Sequence, residues 1–339
     1  MKVYDLEHHY YNPELVEYLK VRETPPMYRD GGMLIYHKGA MLPMGAKNEI
    51  LGNLCMMDII SDLGEMRLKN MDNAGVDVAV VSSGALIENL PKEEAIKYAR
   101  ITNNAIAEAC RKYPDRFLGT ICLPTTYVDE AIKELVRAVN ELGLKYFHTH
   151  SNYGKETLAD DKYIPLLAKC EELGVAIYIH PHNPASEYLL ESGMMFSSAG
   201  FGFGVDTMKT SLNIILKGRL DQFPKLKIVL GHMGEFYPYL LERLNNRFFC
   251  VPDPDVKCKH NFTYYFQNKN IFMTTSGIED PDVALFAIKK IGIDSIMMGS
   301  DYPYEDFKKS VDFVKELPIS DEDKEKIFYK NAEKYILNR

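Results

Sequence analysis

"DEAIKELVRAVNELGLKYFHTH", residues 129–150, reads as a helix, a stop and a strand. Apolar residues recur at helical spacing up to Val139, Gly143 ends the pattern, and a short β-rich run follows that finishes on two histidines. The plan repeats at once in "DKYIPLLAKCEELG" (161–174) and "VAIYIHP" (175–181). Working outward in both directions gives eight β-rich runs, at 3–9, 76–83, 117–124, 144–150, 175–181, 226–232, 271–276 and 295–301. Strand and helix alternating in this way predict parallel pairing, and eight repeats predict one (β/α)8 barrel over residues 1–339. The rival is an open doubly wound sheet, but no G-x-G-x-x-G follows the first run.

Composition is consistent with that reading. A chain of 339 residues with 46% hydrophobic content can bury a large core, and its length fits either two ordinary domains or one barrel. A formal charge of −8 with no basic run argues against nucleic acid or an anionic membrane surface as partner, which leaves a small molecule. The first strand begins without a leader pattern, and no apolar stretch approaches the roughly 18 residues of a membrane span, so a cytoplasmic protein is expected. Six cysteines without a C-x-x-C pair are expected as thiols.

Three connections exceed simple turns: 10–57, 182–212 and 233–270, the long insertions after strands 1, 5 and 6. The first carries "PPMYRDGGMLIYHKGAMLPMG" (25–45), whose pattern fits neither helix nor strand, and is expected to cover the substrate or contact a second subunit.

Catalytic groups of a parallel barrel sit at the C-terminal ends of its strands. That is where the chain places Glu7 and His9, His180, His232 and Asp301. One histidine near a strand end is usually a hydrogen-bonded structural group, and "SD" before "YP" is a turn signal; five such residues at one end are a site. On strand 1, alternation puts Asp5, Glu7 and His9 on one face and Tyr4, Leu6 and His8 on the other. Imidazoles mixed with carboxylates, without thiolates, suit one divalent transition ion, zinc or manganese, over calcium or magnesium.

"LEHH" (6–9), "YIHPHNP" (178–184), "GHMGE" (231–235), "TTSG" (274–277) and "GSDYPYE" (299–305) together resemble the amidohydrolase-related decarboxylases. This group includes the γ-resorcylate, 2,3-dihydroxybenzoate and 5-carboxyvanillate decarboxylases and aminocarboxymuconate semialdehyde decarboxylase. The resemblance implies the metal-dependent hydrolase barrel, with Glu7, His9, His180 and Asp301 holding one metal and His232 with Glu235 as an acid/base pair. Glu-x-His on strand 1, in place of the His-x-His of many hydrolytic members, favours decarboxylation. Lys145 begins strand 4, away from where a bridging carboxylated lysine would sit, so one metal is expected. Arg243 resembles an arginine that holds the aromatic acid in the family; the bland alternative is a solvated helix charge.

His148 and His150 share a face of strand 4, with His150 a candidate substrate contact and His148 buried structure; His8, His37, His182 and His260 are read as structural or surface residues. "AGFGFG" (199–204) reads as a substrate loop but does not follow a strand end. The implied reaction is non-oxidative decarboxylation of a hydroxybenzoate-like acid, with a protonated Asp301 delivering a proton to the ring carbon, its pKa pushed up by burial and Glu7 and pulled down by metal coordination, and with His232 hydrogen-bonding or deprotonating a ring hydroxyl. The alternatives are a hydrolase or hydratase using a metal-bound water, and binding without catalysis. A homodimer or homotetramer is a family-level expectation.

Overall fold

Parallel pairing runs unbroken through eight strands: β1 (Tyr4–Tyr10), β2 (Val78–Ser83), β3 (Phe117–Ile121), β4 (Tyr146–His150), β5 (Ala176–His180), β6 (Ile228–Leu230), β7 (Ile271–Thr274) and β8 (Ile296–Met297). The computed structural model describes all residues except 30, 38–39, 46, 49–53, 85, 251–253 and 338–339. Beyond β8 the chain returns to β1: Leu6 N–H donates to Met298 O, Tyr302 N–H to Glu7 O and His9 N–H to Tyr302 O. The sheet is thereby nearly closed into the expected barrel. Each strand is followed by one helix of ten or more residues: α1 (Glu65–Ala74), α2 (Lys92–Lys112), α3 (Val128–Asn140), α4 (Ile164–Leu173), α5 (Gly202–Leu216), α6 (Tyr237–Cys250), α7 (Pro281–Ile291) and α8 (Phe307–Glu316). In α3 the buried positions Ala131, Leu135 and Ala138 form the stripe that packs on the sheet. In α4 the stop is Gly174, whose left-handed backbone ends the helix before β5.

The barrel interior is layered. Tyr4, Leu6, Val78, Val80, Tyr146, Tyr178, Val229, Phe272 and Met297 fill it, and Ala332, Ile336 and Leu337 of the C-terminal helical segment pack beneath them. Polar side chains take over at the opposite end, where the C-terminal ends of the strands meet.

The insertion after β1 departs from expectation. Residues 25–45 include three short antiparallel strands, Met27–Arg29, Met33–His37 and Ala40–Pro43, and the Gly31–Gly32 pair turns the first into the second. Leu34 and Tyr36 alternate inward and are buried there. Asp-Gly-Gly between β-capable runs is a hairpin signal that outweighs the irregular composition around it. "AGFGFG" leads into α5, which starts at Gly202. No disulfide links the described cysteines; Cys250 has no described side chain.

Candidate active site

The strand β1 reaches the site through a bulge. Its pairing with β2 runs Asp5 to Ala79 and then His8 to Val81, so three steps on β1 match two on β2. One extra residue reverses the parity of the residues beyond it. Leu6 fills the barrel, yet Glu7 and His9 join the cluster inside it, while Asp5 and His8, expected on opposite faces, meet at 2.9 Å. Strict alternation therefore fails at one position. Asp5 anchors the distortion, accepting from the backbone N–H of Glu7 and Ser300 and from the Ser300 hydroxyl. His8 is buried against Tyr302, a structural role as expected.

Glu7, His9, His180 and Asp301 come together with one ligand atom each, all within 4.8 Å of one another. His9 Nε2 lies 2.8 Å from Asp301 Oδ1, and His180 Nε2 lies 3.2 Å from Glu7 Oε1 and 3.7 Å from Asp301 Oδ1. Two of these side chains are held from behind. Tyr178 donates to Glu7 Oε2 at 2.5 Å, and His180 Nδ1 sits 2.8 Å from Pro181 O, which turns Nε2 inward. Gly231 and Gly299 leave room for this: a Cβ on Gly299 would stand 2.9 Å from Thr274 and 3.3 Å from Glu7 Oε2, and one on Gly231 would stand 3.0 Å from the Tyr178 hydroxyl.

The donor set fits a divalent cation. Glu7 Oε1 and His180 Nε2 are buried without a hydrogen bond, and two carboxylates with two imidazoles supply the charge and donors such an ion needs. Burial alone would lower His180, but Asp301 and Glu7 outweigh it and push the imidazole up to about 9. Burial would raise Asp301, but the imidazoles of His180, His232 and His9 hold it well below the usual carboxylate range.

His232 stands beside the cluster on a strained turn. His232, Met233 and Glu235 all have positive φ, as does Asp301; only Lys269 shares this among the other described non-glycine residues. Glu235 Oε1 lies 3.0 Å from His232 Nδ1, so its carboxylate serves the imidazole instead of capping α6. His232 Nε2 faces Asp301 Oδ2 at 3.8 Å. Burial works against the charged imidazole, but Glu235 and Asp301 raise its pKa well above the ordinary value.

His148 and His150 are both buried. His148 stacks on Tyr178, and neither ring nitrogen has a hydrogen-bond partner. His150 Nδ1 lies 2.8 Å from Glu88 Oε1, and burial pushes the Glu88 carboxyl up to about 7. Glu88 was not anticipated; its signal was a carboxylate just after a strand end. His182 is also buried and borders a cavity of about 900 Å³ with Tyr36, Asn89 and Asn152, a placement its reading as structural or surface had missed. Tyr36 brings the insertion to the site, its hydroxyl 2.8 Å from that of Tyr11, and Tyr304 lies over His9 with ring centroids 5.4 Å apart. Arg243 lies on the exposed side of α6 and takes no part in the contacts of the cluster. His260 stacks on Tyr264 at the surface, and the side chain of His37 lies outside the described residues. No helix among the described residues is long and apolar enough to cross a membrane.

Comparison with known proteins places this arrangement. The amidohydrolase family model matches residues 8–335. The γ-resorcylate decarboxylase of Rhizobium sp. (strain MTP-10005) is 34% identical over 282 residues, covering 80% of this chain and 86% of the relative. The 5-carboxyvanillate decarboxylase of Novosphingobium aromaticivorans, solved with manganese and 4-hydroxy-3-methoxy-5-nitrobenzoic acid, superposes with a TM-score of 0.85 at 28% identity, covering 98% of this chain and 95% of that one. The dihydroxybenzoic acid decarboxylase of Polaromonas sp. JS666, solved with manganese and 2-nitroresorcinol, gives 0.83 at 27% identity, covering 100% and 98%. The chain belongs to the amidohydrolase family, in its branch of γ-resorcylate decarboxylases.

Proposed function

We propose that this chain is a metal-dependent, non-oxidative decarboxylase of a hydroxybenzoate-like acid. The observation that carries the reading is the cluster of Glu7, His9, His180 and Asp301 with the His232–Glu235 pair beside it, in a chain similar to the decarboxylases of Rhizobium, Novosphingobium and Polaromonas. The hydrolytic alternative has no such support. The four clustered residues would hold the ion, and manganese is favoured because it occupies two of the solved relatives. When bound, the ion supplies a Lewis-acidic anchor for the carboxylate and its ortho hydroxyl.

The protein's own groups then manage one proton. His232 holds it at Nε2 while Glu235 accepts from Nδ1 and keeps the ring in place. Asp301, 3.8 Å away, relays that proton only as the ring carbon that bears the carboxylate accepts it, so the carboxylate is regained as the carbon–hydrogen bond forms. The carbon–carboxylate bond then breaks, its electron pair restores the aromatic ring, and carbon dioxide leaves. The hairpin carrying Tyr36 would serve as a substrate cover, a reading supported by Tyr36 lining the cavity beside His182. Exposed Met194, Met195, Phe196 and Phe201 support assembly of a homodimer or homotetramer.

The test is to load the protein with manganese, supply a panel of ortho-hydroxybenzoates, and measure carbon dioxide together with the aromatic product. Stoichiometric release is expected, with one solvent deuterium at the former carboxylate position in heavy water. Turnover surviving in manganese-loaded Asp301→Asn would remove Asp301 from the mechanism, and hydrolysis without carbon dioxide would overturn the reading.

A further inference from the structure

At the ends of β4 and β5 the register pairs His150 with His180, so a group outside the ligand cluster stands level with one inside it. The His150 ring is 5.8 Å from that of His180 on one side and 6.1 Å from that of His182, at the cavity wall, on the other. Glu88 fixes its orientation by the 2.8 Å contact to Nδ1, and both side chains are more than nine-tenths buried. His150 Nε2 is left buried without a hydrogen bond. An orphaned nitrogen in such a place is costly unless something completes it.

The support around this pair is rigid. Ser151 and Asn152, which follow His150, both donate to the buried carboxylate of Asp206, and the Ser151 hydroxyl accepts from the His182 N–H. The wall is thus built before any ligand arrives.

We infer that the Glu88–His150 pair reads a second hydroxyl on the aromatic substrate, at the ring edge directed away from the carboxylate-binding ion. This rests on the decarboxylase reading for the identity of the substrate. The chemistry selects the substituent. With the shared proton on His150 Nδ1, Nε2 is an acceptor; with the proton on Glu88, Nε2 carries the hydrogen and donates. A hydroxyl completes either arrangement. A methoxy or carboxylate oxygen completes only the second, and a methyl group completes neither.

Nitro analogues test this without turnover, because they carry no carboxylate to lose. Manganese-loaded protein is titrated with 2-nitrophenol and with its hydroxylated forms 3-nitrocatechol, 4-nitroresorcinol, 2-nitrohydroquinone and 2-nitroresorcinol, following the absorbance of each probe. The expected result is about tenfold tighter binding of one hydroxylated isomer over 2-nitrophenol, the effect of one added hydrogen bond of about 1.4 kcal/mol. In His150→Phe that ratio should fall to within about twofold, with manganese stoichiometry and 2-nitrophenol binding measured alongside to check that the site is intact.

Glu88→Gln, nearly equal in size, serves where the phenylalanine variant does not fold, and should lower the ratio at least threefold. An unchanged ratio in the folded variants, or no preferred isomer in the unsubstituted protein, overturns the inference. Carbon dioxide release from the matching hydroxybenzoates is measured separately. Selective binding that depends on His150 without any release would keep the hydroxyl-reading pair and refute the decarboxylase.

Discussion

A proton and a metal ion would compete for His180 Nε2. Its imidazole is pushed up to about 9 by Asp301 and Glu7, so below that pH an incoming ion must displace the proton. Manganese affinity is therefore expected to rise by up to about tenfold per pH unit between pH 6.5 and 9, with proton release detectable by calorimetry in buffers of different ionisation enthalpy. A flat profile would mean that His180 is not a ligand. Tyr178 acts one step behind, donating to Glu7 Oε2 at 2.5 Å. Tyr178→Phe should lower manganese affinity by about 10- to 100-fold, measured by equilibrium dialysis, with the fold retained. The sequence made Glu7, His9, His180, His232 and Asp301 legible because each ends a strand of a repeating plan. It hid Tyr178 and Glu88, since one reads as an interior strand residue and the other as part of a turn.

Among the elements, β1 does the most to shape the site. Its bulge turns Glu7 and His9 inward together and leaves Asp5 to bind His8 and Ser300, next to Asp301. Asp5→Ala should destabilise the protein by about 2–4 kcal/mol in denaturant unfolding and weaken manganese binding, because several buried donors lose their acceptor at once. Unchanged manganese affinity in that variant would show that the bulge does not position the ligands. An inserted residue of this kind leaves no mark in hydrophobic periodicity, which is why alternation misassigned the faces of β1. The antiparallel strands of the first insertion were legible in "DGG" but were masked by the Pro, Gly and Met around it.

For the molecule as a whole, buried neutral imidazoles set the response to acid. Burial first, then His150, His180 and His9, hold His148 well below its ordinary 6.5. As pH falls through 6.5 the unfolded chain takes up that proton and the folded chain does not, so the unfolded state binds more protons and stability declines. Metal-free protein should lose up to about 1.4 kcal/mol per pH unit below 6.5 through this group, and His148→Phe should remove that increment in unfolding at pH 6.5 and 5.5. An identical pH slope in the two proteins would exclude His148 as the source. The barrel was readable because its runs repeat eight times, whereas the placement of Arg243 on an exposed helix face depends on how α6 turns, which spacing alone does not set. Closure of the barrel joins the two ends of the chain: His9 meets Asp301 across 292 positions, and β1 is sealed only by residues 298–302. During synthesis β1 leaves the ribosome with one edge open and stays so until residues 298–302 have been made. Chains interrupted late in translation therefore carry a bare, aggregation-prone edge and no metal affinity, and pulling the two ends apart would open the barrel and empty the site in one event.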